Sequence, residues 1–376
     1  MGTTTRFKNS KYSSSEKGRF LREGIKNIVS SYKEKNPSNP HLKGNRELYI
    51  KSALMLFLFI SPYIIFLIYS PVVWIAIPLL FVLAFGMVGS ALNIMHDAAH
   101  GAYSTSDRVN RIMSMTIYLQ GANLLCWRIQ HNLFHHMYTN IKGLDGDIEP
   151  PWWLLRFSKY SHWLRNHQYQ HRYATFAYGF LTLGKFFGDF ASLITYSKMD
   201  LPPKYRFNLG WELVKAFASK TVYIFFAIVL PILVTDYTWW QVMIGFFLVH
   251  YFSSIFVSFV FQTAHVVADV EEYPEKKENE NVDSNNIIHA ILTTCGWKSK
   301  FLSWYAGGLN NQVLHHILYR ISHVHYPYLY EPMKKLIQSV GLVYNEEASF
   351  FKACRNHLEQ LRIFGIKPEQ SIKSSV

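Results

Sequence analysis

The chain alternates between long apolar blocks without charge and polar, cation-rich stretches, a pattern that predicts membrane-crossing helices rather than the amphipathic helices of a soluble core. Residues 52–69, SALMLFLFISPYIIFLIY, form the first uncharged block. Residues 72–95 form a second, long enough in helical form to cross about 30 Å of hydrocarbon. Ser70 and Pro71 between them predict a tight hairpin. A third block covers residues 221–234, and after the polar TDYTWW a fourth covers residues 239–264. Tyr237, Trp239 and Trp240 suit the aromatic belt at a membrane surface. The stretch 112–127, IMSMTIYLQGANLLCW, is too short for a span and holds Gln120 and Asn123, so it predicts a re-entrant or interfacial segment. Residues 176–193 place Lys185 and Asp189 one helical turn apart and predict a helix lying on the membrane.

Composition narrows this further. Of 376 residues, 49% are hydrophobic and 16% aromatic, and their concentration in blocks predicts one membrane-embedded unit, residues 52–327, between a basic arm, 1–51, and a tail, 328–376. The first 51 residues carry twelve Lys and Arg against four Asp and Glu and lack the apolar core of a signal peptide, so they read as a soluble arm. The turns at Ser70–Pro71 and Asp236 hold no Lys or Arg, whereas residues 108–220 hold many. The positive-inside bias then puts both termini in the cytoplasm. The net charge of +13 has the same origin, and proximity to anionic lipid accounts for it without a nucleic-acid partner. Cys126, Cys295 and Cys354 show no paired spacing and read as reduced packing residues. EKKENENVDSNN reads as a solvated loop.

Seventeen histidines turn the question toward chemistry. Eight gather in four places: His96 and His100; His131, His135 and His136; His265; His315 and His316. In HDAAH the rings stand at i and i+4, and in HNLFHH at i, i+4 and i+5, so each set shares one helix face or nearly so. Gln312 lies three and four residues ahead of the last pair. The predicted topology puts all eight on one side of the membrane. His250, inside the fourth block, reads as a buried hydrogen-bonding residue; His41, His162, His167, His171 and His357 read as surface residues. A lone pair of histidines at i and i+4 is often a cap or a solvated face, but neutral imidazole is the commonest metal ligand. Eight donors exceed what one zinc needs and suit two transition-metal ions. Iron fits best, because two irons can reduce O2 and cleave an unactivated C–H bond. Asp97, Asp145, Asp147 and Asp269 can hold ring N–H groups and fix tautomers, and each reads equally well as a capping or solvated carboxylate.

HDAAHGAY, HNLFHHMYTNIKGLDGDIE, FQTAHVV and GGLNNQVLHHILYRISHVHYP resemble the histidine boxes of membrane fatty acid desaturases. Gln312 in the last of them resembles the front-end, linoleoyl-CoA desaturase-like subgroup. The likeness runs over about residues 52–327. It implies an all-α membrane protein in which four transmembrane helices carry a cytoplasmic helical cap holding a di-metal site, with two non-haem iron ions as cofactors. Carried over, His96, His100, His131, His135, His136, His265, His315 and His316 are iron ligands, and Gln312, at or beside the metal, and Asp97 are catalytic. It further implies a fatty acyl substrate on CoA or lipid, contact with membrane lipid, and an external electron donor, ferredoxin or cytochrome b5 with its reductase. The last box departs from the front-end pattern QIEHHLFP by reading QVLHHILY, and Gly296 stands where the family often has asparagine. Residues 1–51 hold no HPGG-like haem motif, so no fused cytochrome b5 is expected.

Three rivals remain. A hydroxylase or ketolase of the same histidine-box superfamily shares the hydrogen abstraction. A zinc protease would leave the other boxes unexplained, and HDAAH has Asp where the HExxH base is Glu. A membrane metal transporter would need polar residues along the spans, whereas these clusters lie at one surface.

Overall fold

A long helix that is apolar on most of its surface has no stable place in water, and four helices among the described residues are of that kind. In the computed structural model, which describes residues 15–151, 153–275 and 285–368, the helices Arg46–Tyr69, Val73–Ala99, Leu209–Val234 and Trp239–His265 are long and apolar enough to cross a membrane. Large apolar side chains stand outward along them, including Phe57, Trp74, Phe217 and Leu233. The protein is a membrane protein and mostly helical. The solvated-loop reading of EKKENENVDSNN falls largely on residues 276–284, outside the described residues.

In chain order, α1 (Glu16–Glu34) precedes α2 (Arg46–Tyr69) and α3 (Val73–Ser90). A π-helical turn, Ala91–Met95, joins α3 to α4 (His96–Ala99). The short helices α5 (Asp107–Ser114) and α6 (Leu124–Trp127) flank a 3-10 turn, Met115–Gln120. A second π-helix, Arg128–His135, runs into α7 (His136–Tyr138). Then come α8 (Gln170–Tyr178), α9 (Leu181–Ser197), α10 (Leu209–Ile224), α11 (Leu230–Val234) and α12 (Trp239–His265). The last part holds α13 (Asn286–Leu292), α14 (Lys300–Tyr305), α15 (Gln312–Leu318), α16 (Tyr326–Ser339) and α17 (Phe350–Phe364). One two-residue parallel pair, β1 (Gly296–Trp297) with β2 (Glu346–Glu347), interrupts the helices.

The hairpin at Ser70 forms as expected, with Ser70 in the left-handed region at φ 42°. Its hydroxyl accepts from the Asp236 N–H at 3.0 Å, so the turns before α3 and α12 meet at one end. The spans run from there to the other end, where the first, continued through the π-turn and α4, carries His96 and the second ends in His265. Gly86 lets α3 approach α2 closely, since a Cβ there would lie 2.2 Å from the Phe59 nitrogen.

The structure differs from the pattern in three places. The third apolar helix starts at Leu209, twelve residues before the uncharged block, because Lys220 does not end it. Lys220 is 5% exposed and pairs with Asp189 at 2.7 Å. The expected Lys185–Asp189 pair is therefore replaced: Lys185 donates instead to Gln130 Oε1 at 2.6 Å. Residues 112–127, in line with their length, form no span but a broken run that turns at Gly121, φ 77°. The basic N-terminal stretch, as far as it is described, is folded: α1 buries Leu21 and Ile25 in a core with Ile291, Leu329 and Met333, while Lys17, Arg19, Arg22 and Lys26 stay exposed.

Candidate metal centre

Two of the π-helical stretches sit at the first two histidine clusters, and the geometry of the second explains its spacing. In an α-helix residue i+4 lies nearly above i while i+5 turns away; the wider i→i+5 ring brings i+4 and i+5 to either side of that line. The His136 N–H donates to the His131 carbonyl in this register, so His135 and His136 both stand over His131. The His96 N–H likewise donates to the Ala91 carbonyl. The loop ahead of α15 packs on that first π-turn through Gly307, at φ 62°, where a Cβ would lie 2.3 Å from the Leu92 carbonyl oxygen. This contact brings the helix of His315 and His316 against His96.

All eight histidines converge. Ring nitrogens of His96, His100, His131 and His315 lie within 4.8 Å of one another, and those of His135, His265 and His316 do the same, a spacing that can hold a metal ion in each group. His136 stands between the groups, its ring 4.8 Å from those of His100 and His131, 4.7 Å from His315 and 4.6 Å from His316. Among the described residues, the Nε2 atom of every one of the eight is buried without a hydrogen-bond partner. A buried polar atom left bare costs about 1–3 kcal/mol, so eight converging bare nitrogens fit metal ligation and not a packed core.

The opposite ring atoms of four of the eight are held. His131 Nδ1 donates to Asp147 Oδ2 at 3.0 Å, and His135 Nδ1 donates to Asp145 at 3.0 Å. The Asp145 carboxylate also accepts from the Asn140 and Asp147 N–H groups. His265 Nδ1 donates to the Thr293 carbonyl at 3.1 Å. The Thr139 hydroxyl spends its proton on the His135 carbonyl, so His316 Nδ1 donates to it at 3.3 Å. Each bond places the ring proton on Nδ1 and leaves the Nε2 lone pair toward the centre. Burial, reinforced by the neighbouring imidazoles, pushes His100, His136, His315 and His316 well below the usual histidine range and keeps them neutral. Burial also disfavours charge on His135, but the charge and hydrogen bond of Asp145 outweigh it and raise this one ring.

The remaining expected residues fall as follows. Asp145 and Asp147 hold ring N–H groups, while the Asp97 carboxylate is bonded to Ser322 and His323. Asp269 offers its backbone carbonyl to Asn345. Gln312 is buried at 1% exposure one turn ahead of His315, its amide nitrogen without a partner among the described residues. His250 is buried and bonded to Thr182 and Tyr223, as expected. Thr139, Asn140, Thr293 and His323 were not legible as site residues. Only His323, in the quoted SHVHYP, carried a signal, and it belonged to no pair with metal-ligand spacing.

His167 and His357 are not surface residues: both are fully buried. His357 Nδ1 donates to the Val266 carbonyl at 2.8 Å, and Nε2 accepts from the Tyr178 hydroxyl at 2.6 Å. His357→Ala is expected to lower stability by about 1–3 kcal/mol, since it strands both partners, while product formation persists. The unfolding midpoint in detergent, set beside turnover, checks this.

The sequence profile of the family described as Fatty acid desaturase matches residues 40–348. A sn-1 linoleoyl-lipid 6-desaturase of Arthrospira platensis is 29% identical over 355 residues, covering 93% of this chain and 94% of that protein. The protein of the same name from Synechocystis sp. is 29% identical over 330 residues, 86% of this chain and 90% of its own. An acyl-lipid (8-3)-desaturase of Physcomitrium patens is 29% identical over 357 residues, 91% of this chain and 71% of its own.

Proposed function

Because the chain belongs to the fatty acid desaturase family and is an oxidoreductase of that kind, we propose that it introduces a double bond into a lipid-linked acyl chain at a di-iron centre, on the carboxyl side of existing double bonds. The reaction takes O2, two electrons and two protons, removes two hydrogens from adjacent carbons and yields two waters. The observation that carries the reading is the convergence of eight buried Nε2 atoms without partners at one end of four apolar helices. The names of the relatives support a lipid rather than a CoA carrier.

Two bound iron ions would supply the reduction of O2 and the cleavage of the C–H bonds. On this reading His96, His100, His131 and His315 hold one ion, and His135, His265 and His316 hold the other, with His136 between them. Iron is favoured by an all-imidazole donor set richer than a structural zinc takes. Asp145, Asp147, Thr139 and the Thr293 carbonyl keep the rings in one tautomer. Gln312, buried beside His315 with a bare amide, is proposed as a hydrogen-bond donor to whatever occupies the centre, and Asp97 as a residue acting on the first box.

The test is expression in a host of defined lipids with an electron donor, followed by mass spectrometry of acyl chains against a His135→Ala control. Loss of two hydrogens supports desaturation; gain of one oxygen would return the hydroxylase. Purified protein is expected to hold close to two irons per chain, and one zinc retained through activity would overturn the centre.

The helices are proposed to span the bilayer four times with both termini and the histidines in the cytoplasm, following the charge of the connections. A single cysteine placed at Lys142, which lies beside the centre, is expected to react with a membrane-impermeant label only from the cytoplasmic side. Labelling from outside would reverse the orientation.

A further inference from the structure

Two lysines outside the proposed ligand set lie between the first and last histidine clusters. Lys51, near the start of α2, is 2% exposed, with Nζ 3.0 Å from His323 Nε2 and 5.0 Å from the centre of the Trp304 ring. His323 Nδ1 stands 3.0 Å from Asp97 Oδ2. The same oxygen accepts from the Ser322 hydroxyl at 2.7 Å and the His323 N–H at 3.3 Å. The Lys51 ammonium only donates, so His323 Nε2 accepts and the neutral ring carries its proton on Nδ1, beside the Asp97 carboxylate but not aligned on it as a hydrogen bond. A cation, a neutral ring and an anion thus stand in a row from α2 through the loop after α15 to α4.

Lys43 makes a second tie, donating to the carbonyls of Gly101 and Arg320, each at 2.9 Å. The Ser322 N–H donates to the Leu42 carbonyl, and the Gly44 N–H to the Tyr103 carbonyl. The segment 42–51 is therefore bonded on one side to the residues that carry His96 and His100, and on the other to those that follow His315 and His316. Burying an ammonium is costly, and an apolar residue of similar volume would hold the same elements together at lower cost. The row ends on Asp97, adjacent to His96 and three residues before His100, which points to the placement of those rings and not to general cohesion.

We propose that Lys51, His323 and Asp97 form a positioning network that sets His96 and His100 against His315 and governs occupancy of the metal position those residues share with His131. The position made by His135, His265 and His316 lies outside its reach. The inference rests on the metal-centre reading above.

The test compares metal per chain, unfolding midpoint and turnover in the full-length protein and in Lys51→Met, Asp97→Asn and the double variant. Each single change leaves one charge buried alone and lowers the midpoint; the double change removes both charges at nearly constant volume, so its midpoint returns toward that of the unchanged protein. A network that only neutralised charge would regain metal and turnover together with the midpoint. The positioning role predicts a recovered midpoint with about one metal retained instead of two and turnover at least about tenfold down. A double variant with both metals and full turnover overturns the proposal. Should the double variant not fold, Ser322→Ala decides, since it removes one hydrogen bond and no charge. It is expected to release one metal to chelator at a concentration about 10–100-fold lower, and unchanged chelator resistance overturns the proposal. Absence of metal from the unchanged protein would refute the metal-centre reading itself, a result separable from two metals held in every variant.

Discussion

Alanine at His316 is expected to abolish product formation and to lower the metal content to about one ion per chain, a larger loss than the roughly 10–100-fold that removing an outer hydrogen-bond partner costs. The ring of His316 lies 4.9 Å from His135 and 5.1 Å from His265, the two histidines that share its group. With it gone, two imidazoles of that group remain, fewer than the three protein ligands that an open catalytic site keeps. Alanine at His315 is expected to end turnover as well but to cost less metal, because three histidines of its group stay in place. The control is His41, which is exposed: His41→Ala should leave product and metal unchanged. Acyl-chain mass spectrometry and metal analysis on the same preparations read both quantities. A His316→Ala protein that kept turnover and two metals would remove this residue from the centre.

The parts of the molecule that depend on apolar content were readable from the chain, and the parts that depend on tertiary partners were not. Uncharged blocks located the four long helices, since nothing in a soluble fold accommodates them. The start of the third was missed because Lys220 looks like a boundary until Asp189, on another helix, supplies its counter-charge. The same oversight paired Asp189 with Lys185, which the helical period permits and the fold does not use. Seven of the eight converging histidines were legible from their spacing in three clusters, while His265, which stands alone, was legible only from its place at the end of the fourth apolar block and from the family resemblance. The π-turns that seat His135 and His136 together were not, because side-chain pattern does not specify a hydrogen-bond register. Carboxylates close in sequence, Asp145 and Asp147, were found as ring partners; the Thr293 carbonyl and the Thr139 hydroxyl, which do the same work, carry no charge to mark them. His357 was read as exposed because its partners, Tyr178 and Val266, lie far away in sequence.

Reconstituted protein given NADPH and substrate alone is expected to make no product, and addition of a reductase with its one-electron carrier is expected to start turnover. Each double bond formed with O2 needs two electrons. These 376 residues contain no glycine-rich dinucleotide fingerprint, and three scattered cysteines cannot hold an iron–sulfur cluster. On the proposed reaction the electrons would come from outside these residues, through a carrier that docks near the histidines. Arg19, Arg22 and Lys26 lie exposed on one side of α1, beside Glu23, and complement an acidic carrier, while Leu21 and Ile25 fix the helix to the core. Exposed charges of this kind act mainly on the association rate and are screened within about 10 Å at 0.1 M salt. Raising salt should thus slow turnover when carrier is limiting and have little effect when it is saturating. Replacing Arg19, Arg22 and Lys26 together by glutamine should flatten that salt dependence while leaving metal content alone, because all three are exposed and the eight histidines are in buried clusters. If salt leaves the carrier dependence unchanged, the basic face serves lipid headgroups and the carrier docks elsewhere; turnover on NADPH with no carrier would refute the external supply of electrons.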